Sequence, residues 1–110
     1  MPHRKKTYLA LKSLPIILNL LILYYIELFN TILDNITMNE IKTRLKNLGI
    51  NIKSERLRKG ISQEELAEKC DISRNSISLI ETGKINPTIL KIIDIAKVLR
   101  VDVETLIRDI

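Results

Sequence analysis

The chain has 110 residues, which is enough for one domain and little more. It carries 18 Lys and Arg against 13 Asp and Glu, and this net charge of +5 suits an anionic partner. One cysteine and one histidine exclude an intramolecular disulfide and leave almost no material for a metal cluster or for histidine-dependent catalysis. The sequence has no glycine-rich phosphate loop and no nucleophile elbow, so it predicts neither an enzyme nor a cofactor.

Residues 1–37 form a first segment that begins with a basic cluster and then becomes apolar on every side. The apolar run over residues 14–26, interrupted only by Pro15 and Asn19, is shorter than the roughly 20 residues that span a bilayer. Lengthening the run to Ile36 includes Glu27 and Asp34, which are costly in hydrocarbon. A signal peptide is also a poor match, because no small-x-small cleavage site follows the apolar run.

Three interpretations of residues 1–37 stay open. The segment is an extra apolar helix docked on the domain or on a partner, or a weak membrane anchor through residues 14–36. The third interpretation is upstream untranslated sequence read in frame. Met38 is a plausible start, and the residues before it are mostly those that AT-rich codons supply. We therefore expect a domain boundary that separates residues 1–37 from a functional domain over residues 38–110.

The functional domain is predicted to begin with a helix capped by Thr37, with Glu40 completing a capping box. Gly49 predicts a break or kink in this helix, because glycine is about 1 kcal/mol worse than alanine inside a helix. We expect the helix to end at Gly60, a glycine of the kind that terminates helices. One apolar stripe follows the helical period: Ile41, Leu45, Leu48 and Ile52. All four aromatic residues precede Met38, so the core is predicted to be wholly aliphatic.

Two short helices are predicted next, joined by a tight turn. Ser62 followed by Glu65 has the form of a capping box, and Ser73 is the expected N-cap of the second helix. Ala67, in the middle of the first helix, leaves room for the second helix to cross it closely. Ile72, in the turn, is expected to be a buried plug.

The second of these helices places Ile77 and Ile80 inward and leaves a polar face outward. That face offers Arg74, Asn75 and Ser78, with no acid in its first turn. In the major groove Arg pairs well with guanine and Asn with adenine. The pattern therefore predicts a helix-turn-helix that reads DNA bases, against the alternative of an ordinary polar helix face.

The motifs over residues 62–88 occur together and in a fixed order. They are SQEELA, ISRNSIS, IETGK and NPT. In this order and spacing they resemble the Cro and lambda-repressor type of helix-turn-helix, called the XRE family, over about residues 48–107. The resemblance implies a five-helix DNA-binding domain that commonly dimerises on palindromic operators.

Carried over by position, the resemblance also implies roles for individual residues. The base-reading positions are Arg74, Asn75 and Ser78, with Leu79 or Thr82 at the edge. The DNA phosphate contacts are assigned to Gln63, Ser76 and Lys84. A buried ion pair that ties the first helix to the third is assigned to Arg56 and Glu81. Glu81 needs such a partner in any case, because it is an acid on a helix that otherwise faces DNA.

Two closing helices are predicted. Pro87 permits entry into the first and Thr88 caps it. Its apolar stripe is Ile89, Ile92, Ile93, Ala96 and Leu99. Asp102 is the expected N-cap of the last helix. That helix carries more apolar residues than a terminal helix must bury, namely Val103, Leu106, Ile107 and Ile110, which either dock into the core or form a dimer contact.

The expected fold is all-α, with four or five helices around an Ile/Leu core. The expected function is sequence-specific binding of double-stranded DNA by a cytoplasmic repressor, a homodimer of bacterial or phage-like origin that acts by occupying an operator. Alternatives are an antitoxin with a toxin partner and a mobile-element regulator. An alternative of another class is a membrane-tethered interaction protein that uses residues 14–36.

Overall fold

A computed structural model describes residues 15–110, and the regular structure in this part of the chain is entirely α-helical. Its five helices are α1 (Ile16–Arg58), α2 (Gln63–Lys69), α3 (Arg74–Glu81), α4 (Ile89–Leu99) and α5 (Val103–Ile107). The prediction of an all-α fold is confirmed. The basic cluster over residues 4–6, the lone His3 and Leu14 lie outside the described residues.

Contacts along the chain define two units, Met1–Thr37 and Met38–Ile110, and α1 contributes residues to both. In the first unit the described residues of α1 are mostly apolar, and their large apolar side chains are mostly exposed. By length and composition α1 is able to cross a membrane, and none of its most apolar stretch is buried. The role of residues 1–37 stays a prediction.

The predicted capping box at Thr37 is wrong. Thr37 lies inside α1, where its hydroxyl donates to the Leu33 carbonyl oxygen at 3.0 Å instead of accepting a backbone N–H. The physical reason is that the residues before Thr37 already form a helix. No proline or glycine occurs between Pro15 and Gly49 to end it.

The core of the second unit is aliphatic, as predicted, with one cysteine among its members. Six side chains are fully buried: Ile52, Leu66, Ile77, Ile95, Leu99 and Leu106. Ala67 is buried in the middle of α2, and α2 packs against both α3 and α4. Of the stripe predicted on α1, Leu48 and Ile52 are buried, whereas Leu45 is half-buried and Ile41 is exposed.

The predicted helix starts are confirmed by side-chain caps. The Ser62 hydroxyl accepts from the Glu65 N–H at 3.0 Å, and the Ser73 hydroxyl accepts from the Ser76 N–H at 3.0 Å. The Thr88 hydroxyl does the same for α4 at 3.3 Å. These bonds satisfy N–H groups that a helix cannot satisfy itself, which fixes where α2, α3 and α4 begin.

The apolar stripe of α4 was predicted incorrectly at three positions. Ile89 is 63% exposed and Ile93 is half-buried, whereas Ile95 is fully buried and was left out of the prediction. The buried side chains are Ile92, Ile95, Ala96 and Leu99. Ile89 is the first residue of α4, and Leu90 beside it is exposed as well, so burial in α4 begins at Ile92.

The last helix divides its apolar residues between the core and solvent. Leu106 is fully buried and Val103 packs at the edge of the core. Ile107 remains 42% exposed and Ile110 remains 38% exposed. Asp102 is the N-cap residue, as predicted, although its side chain makes no capping hydrogen bond.

Candidate nucleic-acid interface

Four of the residues predicted to contact DNA line one concave surface at the N-terminal ends of α2 and α3. The cavity has a volume of about 270 Å³ and is lined by Gln63, Arg74, Asn75 and Ser78. Gln63 is the first residue of α2, while Arg74 and Asn75 form the first turn of α3. Ser78 follows Arg74 by one helical turn and therefore lies on the same face. The three predicted base-reading residues thus share one surface with Gln63.

Arg74 has a neighbour that the sequence analysis did not identify. Its Nη1 lies 3.9 Å from Glu64 Oε1, and both side chains are largely exposed. A pair at this distance in water contributes little to stability. Glu64 therefore restrains the Arg74 guanidinium only weakly, and the hydrogen-bond donors of Arg74 stay accessible to solvent.

The structure places Arg56 and Glu81 in a buried, two-pronged ion pair. Arg56 Nε donates to Glu81 Oε1 at 2.6 Å, and Arg56 Nη2 donates to Glu81 Oε2 at 3.2 Å. Arg56 Nη1 also donates to the Ile61 carbonyl oxygen at 2.9 Å, which ties in the α1–α2 loop. The pair connects the C-terminal turn of α1 to the C-terminal end of α3.

Gln63 joins this ion pair through its side-chain amide. Its Nε2 donates to Glu81 Oε2 at 2.8 Å, so both Glu81 carboxylate oxygens are hydrogen-bonded. This bond links α2 directly to α3, the helix that carries the predicted base-reading residues. The bond occupies one of the two hydrogens on Nε2 and leaves the amide at the edge of the concave surface.

Two glycines allow α1 to lie against the C-terminal end of α3. A methyl group on Gly49 would lie 2.5 Å from the Ile80 carbonyl oxygen and 2.7 Å from the Glu81 carbonyl carbon. A methyl group on Gly83 would lie 2.7 Å from the Lys46 Cα atom. The predicted break at Gly49 is wrong, because α1 continues through this residue. The lack of a side chain at Gly49 instead permits the close contact between α1 and α3.

The remaining predicted phosphate-contacting residues are Ser76, within α3, and Lys84, in the turn after it. Ser76 is half-buried, and its hydroxyl shares a 2.9 Å hydrogen bond with the Ser73 hydroxyl. Lys84 is exposed just after Gly83, whose φ of +71° ends the helix. At the edge of the face, the Thr82 hydroxyl donates to the Ser78 carbonyl oxygen at 2.7 Å and so turns back onto α3.

Asn51 is a further positioning residue that the sequence analysis missed. Its Nδ2 donates to the Leu106 and Arg108 carbonyl oxygens at 2.9 and 2.8 Å, and so caps the C-terminal end of α5 from α1. Asn51 lies on a polar flank of α1, and no local sequence signal links it to α5, 55 residues later.

Cys70 is a buried core residue at the end of α2. Burial raises the pKa of its thiol, an effect that Lys91 partly offsets and that Asp94 reinforces. The thiol is therefore neutral at physiological pH and acts as a small apolar side chain. Within residues 15–110, no three His, Cys, Asp or Glu side chains are grouped so as to hold a metal ion.

Sequence comparison shows that the region containing this concave surface matches known proteins. A protein-family profile described as helix-turn-helix matches residues 52–106, half of the chain. An HTH-type transcriptional regulator of Archaeoglobus fulgidus is 38% identical over 55 residues, which cover 50% of this chain and 79% of that protein.

Two solved structures share the fold. The restriction-modification controller protein C.AhdI of Aeromonas hydrophila superposes with a TM-score of 0.55 and is 29% identical, covering 56% of this chain and 94% of C.AhdI. The hypothetical transcription factor NHTF from Neisseria superposes with a TM-score of 0.56 and is 33% identical, covering 60% of this chain and 77% of NHTF.

The comparisons and the geometry agree on the class of protein. The matched residues include α2, α3 and the ion pair that connects α3 to α1. Proteins of this class bind DNA to regulate transcription and are not enzymes. The chain therefore belongs to the Cro/C1-type (XRE) helix-turn-helix family of DNA-binding transcriptional regulators.

Proposed function

We propose that α3 reads the base sequence of double-stranded DNA through Arg74, Asn75 and Ser78. The supporting observation is the concave surface that these residues share with Gln63 at the exposed N-terminal end of α3. Arginine donates two hydrogen bonds to guanine, and asparagine both donates to and accepts from adenine. A serine one turn further along the helix reaches an adjacent base edge.

In this proposal, the residues that contact the DNA backbone are Gln63, Ser76 and Lys84. Gln63 keeps one amide hydrogen for a phosphate oxygen while the other is donated to Glu81. Lys84 supplies an exposed cation at the turn after α3. Phosphate contacts of this kind give affinity that depends on salt and not on sequence, so they set the position of α3 in the groove.

We infer that the protein represses transcription as a homodimer by occupying an operator within a promoter. The exposed apolar residues Ile107 and Ile110 at the end of the chain support a contact between two copies. A two-fold dimer places its two recognition helices one turn of DNA apart, about 34 Å, and therefore binds a palindrome. The likeness to a restriction-modification controller protein supports a role in control of gene expression.

Selection of bound duplexes from a random pool, using the full chain, tests this function most broadly. We expect recovered sequences to converge on a palindrome with half-site centres about one DNA turn apart. Recovery of unrelated sequences would contradict base-specific reading. A single unrepeated site would contradict the dimer. A reporter gene placed behind the selected site then tests the direction of regulation, with lower expression expected.

A second candidate concerns residues 14–36, which we propose as a membrane tether for the DNA-binding unit. Regulators of this family typically work in the cytoplasm, and a tether would hold such a regulator at the inner face of the membrane. The exposed apolar surface of α1 and its length support the proposal. Fractionation of cells tests it: a tether predicts full-length chain that only detergent releases, whereas a soluble full-length chain, or a product that begins at Met38, contradicts it.

A further inference from the structure

Helix α1 passes close beside the turn that carries Lys84. The absent side chain of Gly83 lets the backbone of Lys46 approach, since a methyl group there would lie 2.7 Å from both the Lys46 nitrogen and its Cα atom. One turn later along α1, Gly49 faces the carbonyl groups of Ile80 and Glu81. Between Gly49 and Lys46, α1 therefore passes from the C-terminal end of α3 to the turn that follows α3.

Two exposed lysines continue this path along α1. Lys46 lies beside the turn, and Lys42 precedes it by four residues, so both occupy the same side of the helix. Together with Lys84 they define what we call the flanking lysines: Lys42, Lys46 and Lys84. All three are exposed and belong to the second unit.

None of the flanking lysines is paired with an acid, whereas three other cations on α1 and α2 are. Arg44 pairs with Glu40 at 2.8 Å on α1, Arg58 pairs with Glu55 at 2.6 Å, and Lys69 pairs with Glu65 at 3.3 Å on α2. Within residues 15–110, no carboxylate lies within 4.0 Å of a flanking lysine amine. Their charge is therefore available to a polyanion, at the end of α3 where Lys84 is proposed to meet DNA.

We propose that Lys42 and Lys46 extend the DNA phosphate-binding surface beyond Lys84, onto the backbone of base pairs that flank the half-site. This inference rests on the proposed function of Lys84. It adds residues that lie outside the region matched by the family profile, which begins at residue 52. These contacts carry no base information, so they raise affinity for every sequence alike.

Salt dependence of DNA binding by the full chain tests the inference. Fluorescence anisotropy with the selected duplex gives the dissociation constant at several salt concentrations for the parent and for Lys42→Gln/Lys46→Gln. Each lost phosphate contact lowers the slope of log affinity against log salt by about 0.9. The parent's loss of affinity between 50 and 200 mM salt is then larger than the variant's by about 3.5-fold per lysine.

Three controls separate the possible causes. Lys42→Arg/Lys46→Arg keeps the charges and is expected to keep the parent's slope. Lys97→Gln removes an exposed lysine on α4 and is expected to leave the slope unchanged. A duplex trimmed to the half-sites is expected to bind the parent less tightly than a flanked duplex, while the glutamine variant binds both equally.

The outcomes distinguish this inference from the function on which it rests. If the glutamine variant folds with the parent's melting temperature and keeps the parent's slope and preference for flanked duplexes, the proposed contacts are wrong while DNA reading stands. If the parent binds no duplex more tightly than a random one, the proposed base reading itself fails.

Discussion

Glu81 is a carboxylate on the helix that is proposed to face a polyanion, and the guanidinium of Arg56 balances its negative charge. Arg56 and Gln63 hold its two oxygens from α1 and α2, and the carboxylate is buried. The charge therefore does not repel DNA, and the same bonds fix α3 relative to the two helices before it. Glu81 therefore joins α1, α2 and α3 beside the surface that is proposed to read DNA.

Removing Arg56 is expected to destabilise the fold strongly. Arg56→Met leaves a buried carboxylate with only the Gln63 amide as partner, and breaking a buried pair in this way costs about 3–5 kcal/mol. Urea unfolding followed by circular dichroism measures the change. Arg58→Met removes an exposed ion pair from the same turn of α1 and is expected to cost at most about 1 kcal/mol.

The double variant Arg56→Met/Glu81→Met tests whether the stability lost in Arg56→Met comes from the unpaired charge of Glu81 or from lost packing. Replacing both partners by apolar residues removes the unpaired charge, so we expect it to recover most of the stability that Arg56→Met loses. A single variant as stable as the parent would show that Glu81 does not depend on Arg56.

Gly49→Ala is expected to destabilise the protein, although alanine favours a helix by about 1 kcal/mol over glycine. The added methyl group meets backbone atoms of Ile80 and Glu81 that cannot move away without shifting α3. Overpacking of this kind costs about 1–3 kcal/mol. Thermal unfolding measures it, with Ser54→Ala on the exposed side of α1 as the control that should not destabilise. A higher melting temperature for Gly49→Ala would refute the close contact.

These residues show what the sequence was able to predict and where it stopped. The pairing of Arg56 with Glu81 followed from an acid that needed a partner and from the family resemblance. The role of Gly49 could not be predicted, because helix propensity describes a residue within its own helix. It says nothing of the contact between Gly49 and the backbone of α3. The bonds of Asn51 to α5 were missed for the same reason.

At the scale of elements, four helices end in the same way. A residue with a left-handed backbone and positive φ lies two positions after the last residue of α1, α2 and α3 and one position after that of α4; these residues are Gly60, Asp71, Gly83 and Arg100. In each case the next N–H bonds back to a carbonyl five residues earlier, as in the bond from Ile72 to Ala67 at 3.0 Å. Ile61, Ile72 and Val101, which follow three of the four, pack against the core.

Two of these endings use glycine, of which Gly60 was predicted, whereas the other two use residues that rarely adopt a positive φ. Asp71 and Arg100 carry φ values of +55° and +56°. Ile72, predicted as a buried plug beside Asp71, is only half-buried. The start of α1 escaped prediction for a different reason: a plausible cap at Thr37 was outweighed by helix-forming residues before it.

Arg100→Gly is expected to stabilise the protein by about 0.5–1 kcal/mol. A left-handed backbone costs a residue with a side chain about 1–2 kcal/mol, and glycine avoids this cost while losing more chain entropy on folding. Urea unfolding tests it against Lys97→Gly, an exposed site in the last turn of α4 where glycine should cost about 1 kcal/mol. Equal destabilisation by both variants would contradict the strain at Arg100.

At the scale of the whole molecule, the chain combines a family domain with a segment outside the family pattern. The profile covers residues 52–106, and the first unit, Met1–Thr37, lies before it. The sequence was sufficient to predict the fold of the domain, because each motif of the helix-turn-helix is local and ordered. It left the role of residues 1–37 open, since an apolar segment of this length fits several roles.

The central claim is that Arg74 on α3 selects the DNA sequence while Lys84 only strengthens binding. Affinities of Arg74→Ala and Lys84→Ala for the selected operator and for single-base variants of it test this most directly. Arg74→Ala is expected to cost about 1–3 kcal/mol on the operator and to lose the preference at one base pair. Lys84→Ala should weaken binding to all sequences alike and lower the salt slope by about 1. If Arg74→Ala kept both the affinity and the base preference of the parent, the assignment of α3 as the reading helix would be wrong.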